Sequence, residues 1–374
     1  MRQGMAPLLR LLRGDAGSLA IDDSEWPALV EVAAEENVLP WFAERVRVLE
    51  IELTPPQRDQ ILEVRRKAAL SSFVWSETLK NTLGAFHRAK LPVIPLKGPC
   101  LAARLYGDVS FRAYGDLDLL VRQSDLSRAE ELLAELGFAP CSRADDYHRP
   151  WRRKAIHLEL HHNFGSPLAF DLKVDAAWDR ARLSQFSEAP VWLLAPCDEL
   201  FYLCFHAVRH RFDRLCLLVD LGFAIRSFPL SSSILGASRS STLDNVVALG
   251  WMMAARLDPQ IPLLPEMFAR LGDRARLDQF AERIWQERMA EPATRLDWAA
   301  QHRFYLAMET PGWSRIVRRW RHLRILVTRL IDVDFAFAEQ FDLHHNWQAR
   351  MLRPIRLLIK AVRPSSKMLE LKRR

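Results

Sequence analysis

Gly115-Asp116-Leu117-Asp118-Leu119-Leu120-Val121 is the stretch on which the fold of this chain turns. Its apolar residues read as a short β-strand over Asp116 to Val121. Strand side chains alternate, so carboxylates at i and i+2 point to the same side. In water that placement is unfavourable, and it becomes favourable when hard divalent cations bridge the two acids. Aspartates also flank apolar strands that simply emerge from a core, so the pair alone leaves both readings open.

The flanks bear on that choice. Upstream, Leu91 to Leu96 is a β-type run broken by Lys97-Gly98-Pro99, and Cys100 to Tyr106 reads as a short helix with Pro99 in its first turn. A glycine at such a strand-to-helix turn lets backbone approach a phosphate, and the helix N-terminus supplies donors. Downstream, Asp125 to Leu136 has helical spacing and ends at Gly137. A polar loop through Asp145-Asp146 leads to Ala155–His161, which alternates: Ile156, Leu158 and Leu160 on one face, His157, Glu159 and His161 on the other. The order strand, helix, strand, helix, strand is an α/β unit. Glu159 supplies a third carboxylate, and three convergent carboxylates with a glycine turn meet the needs of two-metal phosphoryl transfer.

Both sides of this unit read as helical. Before it, Asp23-Ser24 is placed to cap a helix carrying Trp26, Leu29, Val30, Val32 and Ala33; Trp41 to Val48 begins another, and Gln57 to His87 is one long helix. After it, Asp198-Glu199 opens an apolar stretch from Leu200 to Ile225, Ser231 to Ser241 reads as a connector, and helical patterns resume from Leu243. The expected organisation is a helical region at 1–88, an α/β core at 89–195 and a helical region at 196–374. The fold class is therefore α+β, a small mixed sheet flanked by helices.

With 374 residues, 49% hydrophobic and 26% charged, the chain is not a disordered, collagenous or disulfide-scaffold protein. Cys100, Cys141, Cys197, Cys204 and Cys216 form no C-x-x-C pair and read as buried free thiols in a reducing compartment. No apolar run approaches the roughly 18–20 residues of a membrane span. Arg10 and Arg13 interrupt the first apolar stretch as a signal peptide would not tolerate, so a cytoplasmic location is expected. Lys and Arg number 53 against 46 Asp and Glu, a formal charge of +7. The excess gathers late in the chain, at Arg315, Arg318, Arg319, Arg321, Arg324 and Arg329 and again from Arg350. Such a basic end suits a polyanion, and a solvated helix face has the same composition. His206 and His210 share a helical face at i and i+4 but lack the H-E-x-x-H pattern, which favours helix packing or contact with substrate over a zinc site. Tryptophans such as Trp251, Trp285, Trp298, Trp313, Trp320 and Trp347 suit packing better than base stacking.

Leu96-Lys97-Gly98, Leu105-Tyr106-Gly107-Asp108, Arg112 and Gly115 to Val121 together resemble the uncharacterised bacterial nucleotidyltransferase family of the polymerase-β-like superfamily. His157-Leu158-Glu159-Leu160-His161 resembles its following strand. Leu172 to Ala181 and Pro196 to Leu221, with His206, His210, Arg214 and Asp220, resemble the segments after it. The wider superfamily has a Gly-Ser turn and often a serine before its D-x-D; here Lys97-Gly98 and Gly115 stand in those places. The resemblance implies that Asp116, Asp118 and Glu159 hold catalytic Mg²⁺ or Mn²⁺. It places Lys97, Gly98, Arg112 and Gly115 at the nucleotide, with Lys97 and Arg112 either on the triphosphate or paired with the carboxylates. The implied reaction transfers a nucleoside monophosphate from an NTP, ATP being the expected donor, to an acceptor hydroxyl with release of pyrophosphate. The acceptor is open among small molecule, protein, peptide and RNA. A non-catalytic nucleotide- or partner-binding protein on the same fold, and an NTP-dependent phosphotransferase, are the alternatives.

Overall fold

A computed structural model describes residues 2–15, 21–142, 145–166, 172, 174–228, 241–264, 273–291 and 304. The serine-rich connector and the basic C-terminal end fall wholly or almost wholly outside them, as do Trp298, Trp313, Trp320 and Trp347. The chain divides into two units, and every element below belongs to the first, Met1–Gly165 with Leu172–Thr310.

Four helices precede the sheet: α1 (Met5–Arg13), α2 (Trp26–Glu35), α3 (Leu39–Val48) and α4 (Pro55–Arg88). α4 starts where Thr54 and Gln57 close a reciprocal capping box and Pro55-Pro56 preset the first turn. Asp23-Ser24 does not cap α2. Glu25 is the residue at its N-terminus, the Asp22 carboxylate accepts from the Ser24 amide at 2.9 Å, and Asp23 accepts from the Gln57 side chain at 2.7 Å.

The sheet is mixed, in the order β1-β2-β5-β4-β3, from β1 (Ile94–Pro95), β2 (Leu117–Leu120), β3 (Ala139–Pro140), β4 (His148–Arg153) and β5 (Ile156–His161). β2 and β5 run parallel and the other pairs antiparallel. α5 (Gly98–Leu105) follows β1, and α6 (Leu126–Glu135) follows β2. The α+β architecture expected from the sequence is the one found.

β4 lies where a polar loop was expected, and its Pro150 explains both the expectation and its failure. The Pro150 carbonyl accepts from the Cys141 amide at 3.1 Å, just past the end of β3. Its nitrogen faces the same way, so the missing N–H removes no bond from the ladder to β5. A hairpin of β6 (Arg182–Phe186) and β7 (Ala189–Leu193) was also not expected. Its two-residue turn holds Ser187 and Glu188 at φ 45° and 69°, the left-handed pair such a turn needs without the usual Asn-Gly signal.

The apolar face of the sheet, with Leu117, Leu119, Leu158 and Leu160 at 0–1% exposure, packs with Trp75, Leu79, Leu83 and Phe86 of α4 and Leu126, Ala129 and Leu133 of α6. One face is therefore fully committed to the core. The other carries Asp118 and Glu159 together with the buried Leu120.

Beyond the hairpin, α7 (Val174–Arg180) having preceded it, come α8 (Pro196–Arg209), α9 (Leu215–Ser227), α10 (Ser241–Leu257) and α11 (Arg274–Ala290). The run Leu200 to Ile225 is thus two helices, broken where Arg211 and Phe212 both adopt left-handed backbone. Glu36, 2% exposed, fixes the restart: its carboxylate accepts from the Leu215 amide at 2.8 Å and from Arg288 at 2.7 and 2.8 Å, and it also pairs with Arg2. Among the cysteines, all free, only Cys100 and Cys204 are buried; Cys141 is exposed and Cys197 and Cys216 are half-buried. Trp251 is buried and donates to the Pro262 carbonyl at 2.8 Å. No helix among the described residues is long and apolar enough to cross a membrane.

Candidate active site

The acidic residues meet because of strand register. In the parallel pairing of β2 with β5, Asp118 stands opposite Glu159 and Leu117 opposite Leu158. The apolar partners turn into the core, so the two acids turn together to the opposite face. Asp118 is 2% exposed. Glu159 and Asp116 are half-buried.

His161, at i+2 from Glu159 on the same face, lies between them. Its Nε2 is 3.0 Å from Asp118 Oδ1 and 3.2 Å from Glu159 Oε2. Ligand atoms of Asp118, Glu159 and His161 all lie within 4.8 Å of one another, close enough to hold one metal ion. Two carboxylates and one imidazole suit a divalent cation of the Mg²⁺ to Mn²⁺ type, the imidazole favouring the softer member. Asp116 is not in that tight group, yet its charge is felt there. Repulsion from Asp118, burial and Glu159 push its carboxyl up to about 6, against the opposing pull of Lys97. Burial would raise Asp118 as well, but Lys97 and His161 overcome it and hold that carboxyl well below the usual carboxylate range. Burial opposes the imidazolium of His161, and the two carboxylates outweigh it, so its pKa is raised.

The four residues expected at the nucleotide divide. Lys97, 7% exposed, follows β1, where the Leu96 amide donates to the Asp118 carbonyl at 2.9 Å. That backbone bond sets the lysine beside the acids, with Nζ 2.9 Å from Asp118 Oδ2 and 3.2 Å from His206 Nε2. Gly98 has φ +77°, and Leu117 Cδ2 would lie 3.5 Å from an added Cβ. Space is adequate, so the backbone conformation is what requires glycine. Gly98→Ala is expected to cost about 1–2 kcal/mol, the penalty of a left-handed non-glycine residue. Urea unfolding measures this, and an unchanged midpoint would show that the turn relaxes.

Arg112 gives its hydrogen bonds away from the three acids, although its charge also acts on Asp116. Its Nε and Nη2 donate to Asp220 at 3.0 Å, Nη1 reaches the Ala113 carbonyl at 3.3 Å, and Tyr106 Oη donates to the same aspartate at 2.7 Å. Gly115 is exposed, and an added Cβ would meet nothing within 4 Å. It leaves open space immediately before Asp116.

α8 supplies Tyr202, which the sequence did not single out, and His206, read there as packing or facing substrate. Tyr202 and His206 lie one helical turn apart, with ring centroids 6.0 Å apart. Burial, then Lys97, pushes His206 well below the usual imidazole range, so it is neutral and able to accept from the lysine. Tyr202 Oη is buried with no hydrogen-bond partner among the described residues, and burial followed by the charge of Asp118 raises its pKa. From β4, His148 stacks on His161 at 5.3 Å with Nε2 3.7 Å from Glu159. The alternation of β5 put His161 on the face of Glu159, and the i, i+4 spacing on α8 could have paired Tyr202 with His206.

A mixed sheet with a buried acidic face, a glycine turn beside it and a lysine on the central acid is a core suited to phosphoryl-group chemistry. A family model described as uncharacterised nucleotidyltransferase matches residues 22–257, well over half the chain, and the protein belongs to that family. No curated protein and no solved structure matches it.

Proposed function

We propose that this protein transfers a nucleoside monophosphate from an NTP, with ATP the expected donor, to an acceptor hydroxyl in a divalent-metal-dependent reaction. The observation that carries the reading is the in-register pairing of Asp118 with Glu159, with Asp116 just before the strand and close enough to Asp118 for their charges to repel. Mutually repelling carboxylates on a buried face are costly unless a cation organises them. Asp118 and Glu159, with Asp116 beside them, would hold Mg²⁺ or Mn²⁺, which when bound supplies charge neutralisation at the triphosphate and activates the attacking oxygen.

The chain's own groups do the rest. The acceptor oxygen forms a bond to the α-phosphorus as the bond to the β-phosphate oxygen breaks. Its proton passes to one of the carboxylates, and pyrophosphate leaves. The Gly98 turn at the start of α5 offers backbone donors to phosphate, and the open space at Gly115 leaves room for the nucleotide. Lys97 supplies positive charge at the acids. Arg112, paired with Asp220, supports the wall rather than the triphosphate. Such a reaction suits the cytoplasm, where NTPs and divalent cations are present together. The acceptor stays open among small molecule, protein, peptide and RNA, and contact with a polyanion through the basic end belongs to the same proposal.

The test is incubation with Mg²⁺ or Mn²⁺, each NTP and a cell extract, reading pyrophosphate release and transfer of labelled nucleotide. Transfer that vanishes in Asp116→Ala/Asp118→Ala is the expected result. Release of nucleoside diphosphate instead would make the protein a phosphotransferase. Metal-dependent NTP binding without release would leave a binding protein.

A further inference from the structure

Both oxygens of Asp118 already have partners within the chain. Oδ2 faces Lys97 Nζ at 2.9 Å and Oδ1 faces His161 Nε2 at 3.0 Å. All three side chains are buried. A divalent cation on Asp118 therefore meets a competitor, because an ammonium and a metal ion drawn to one buried carboxylate repel each other at short range. A lysine displaced into a buried wall with no acceptor would make that exchange prohibitive.

This wall has the acceptor. His206 Nε2 is 3.2 Å from the same Nζ and comes from α8 rather than from the sheet. A neutral imidazole with its proton on Nδ1 offers Nε2 as a lone-pair acceptor. Arg112, whose charge also acts on Lys97 and His206, gives its hydrogen bonds to Asp220 rather than to either group. Lysine also has a flexible stem, able to shift its charge over a short arc while its backbone stays fixed.

From this geometry we infer that Lys97 is a tethered counter-ion of the acidic site: it competes with a divalent cation for Asp118 and retires onto His206 when the cation binds. The inference deepens the proposed function and rests on it. Lys97 is in this view a positioning residue, and its role is read in metal affinity rather than in turnover.

Calorimetric titration of the full chain with Mn²⁺ alone, without nucleotide, tests it. Lys97→Met is expected to bind Mn²⁺ about tenfold tighter than the wild type, since the competing charge is gone. His206→Phe keeps an aromatic ring against Tyr202 and His210 but removes the resting place, and it is expected to bind several-fold more weakly. The double variant should match Lys97→Met, because His206 acts only through the lysine. A merely structural lysine predicts weaker binding on its removal, the opposite sign. Glu159→Gln separates the two levels of the argument. If it abolishes Mn²⁺ binding while Lys97→Met binds no tighter than wild type, the counter-ion role is overturned and the acidic site stands. If neither wild type nor Lys97→Met binds Mn²⁺, the metal reading falls and the inference with it. Should Lys97→Met fail to fold, an unchanged affinity in His206→Phe is enough to overturn the role.

Discussion

Asp118→Asn is expected to lower the proposed nucleotidyl transfer by on the order of 10³-fold and to destabilise the fold at the same time. The substitution is nearly isosteric, so packing is unaffected. What it removes is the anion on which Lys97 and His161 both rest, at 2.9 and 3.0 Å. Leaving the buried Lys97 ammonium without its partner costs about 3–5 kcal/mol, far more than the pair itself contributes to stability. Denaturant unfolding and pyrophosphate release, measured on one preparation, check the two effects together. Lost turnover with unchanged stability would mean that the ammonium relaxes to another partner. Retained turnover would remove Asp118 from the chemistry.

Asp220→Ala is expected to lower stability by a similar amount, about 3–5 kcal/mol, although Asp220 is remote in sequence from the acidic strand. Its carboxylate, 2% exposed, receives the forked donors of Arg112 and the hydroxyl of Tyr106. Truncation strands a buried guanidinium whose proton cannot be shed, since the paired carboxylate is what keeps that charge comfortable in the wall. Thermal unfolding is the measurement, with loss of activity following loss of folded protein. If the variant folded as well as the wild type and showed only a raised KM for NTP, Arg112 would be a phosphate contact after all.

The acidic strand and the strand bearing Glu159 were legible because alternation is a local, period-two property of the residues themselves. Nothing local, however, states that Asp118 lies opposite Glu159. That register is set by the parallel pairing, with Leu117 and Leu119 facing the core beside Leu158 and Leu160. The polar strand His148–Arg153 was illegible for the converse reason: charge and a proline oppose a strand, and only its long pairing with β5 holds it as one. The hairpin at Ser187-Glu188 lacks the glycine that announces such turns. Lys97 was flagged by its place in the glycine turn, but its partner could not be read. His206 lies 109 positions away and arrives on a separate helix.

The buried Glu36 bears on where this protein can be cut. It lies inside the matched span of 22–257, yet Arg2 and Arg288, which neutralise it, lie outside on either side. A fragment trimmed to the family boundaries would keep the acid and discard both bases, leaving its carboxylate on the Leu215 amide. Domain limits drawn by similarity therefore sever an electrostatic knot that the folded chain ties between residues on both sides of the matched span. Expression of the family-matched region alone calls for residues from Arg2 through at least Arg288.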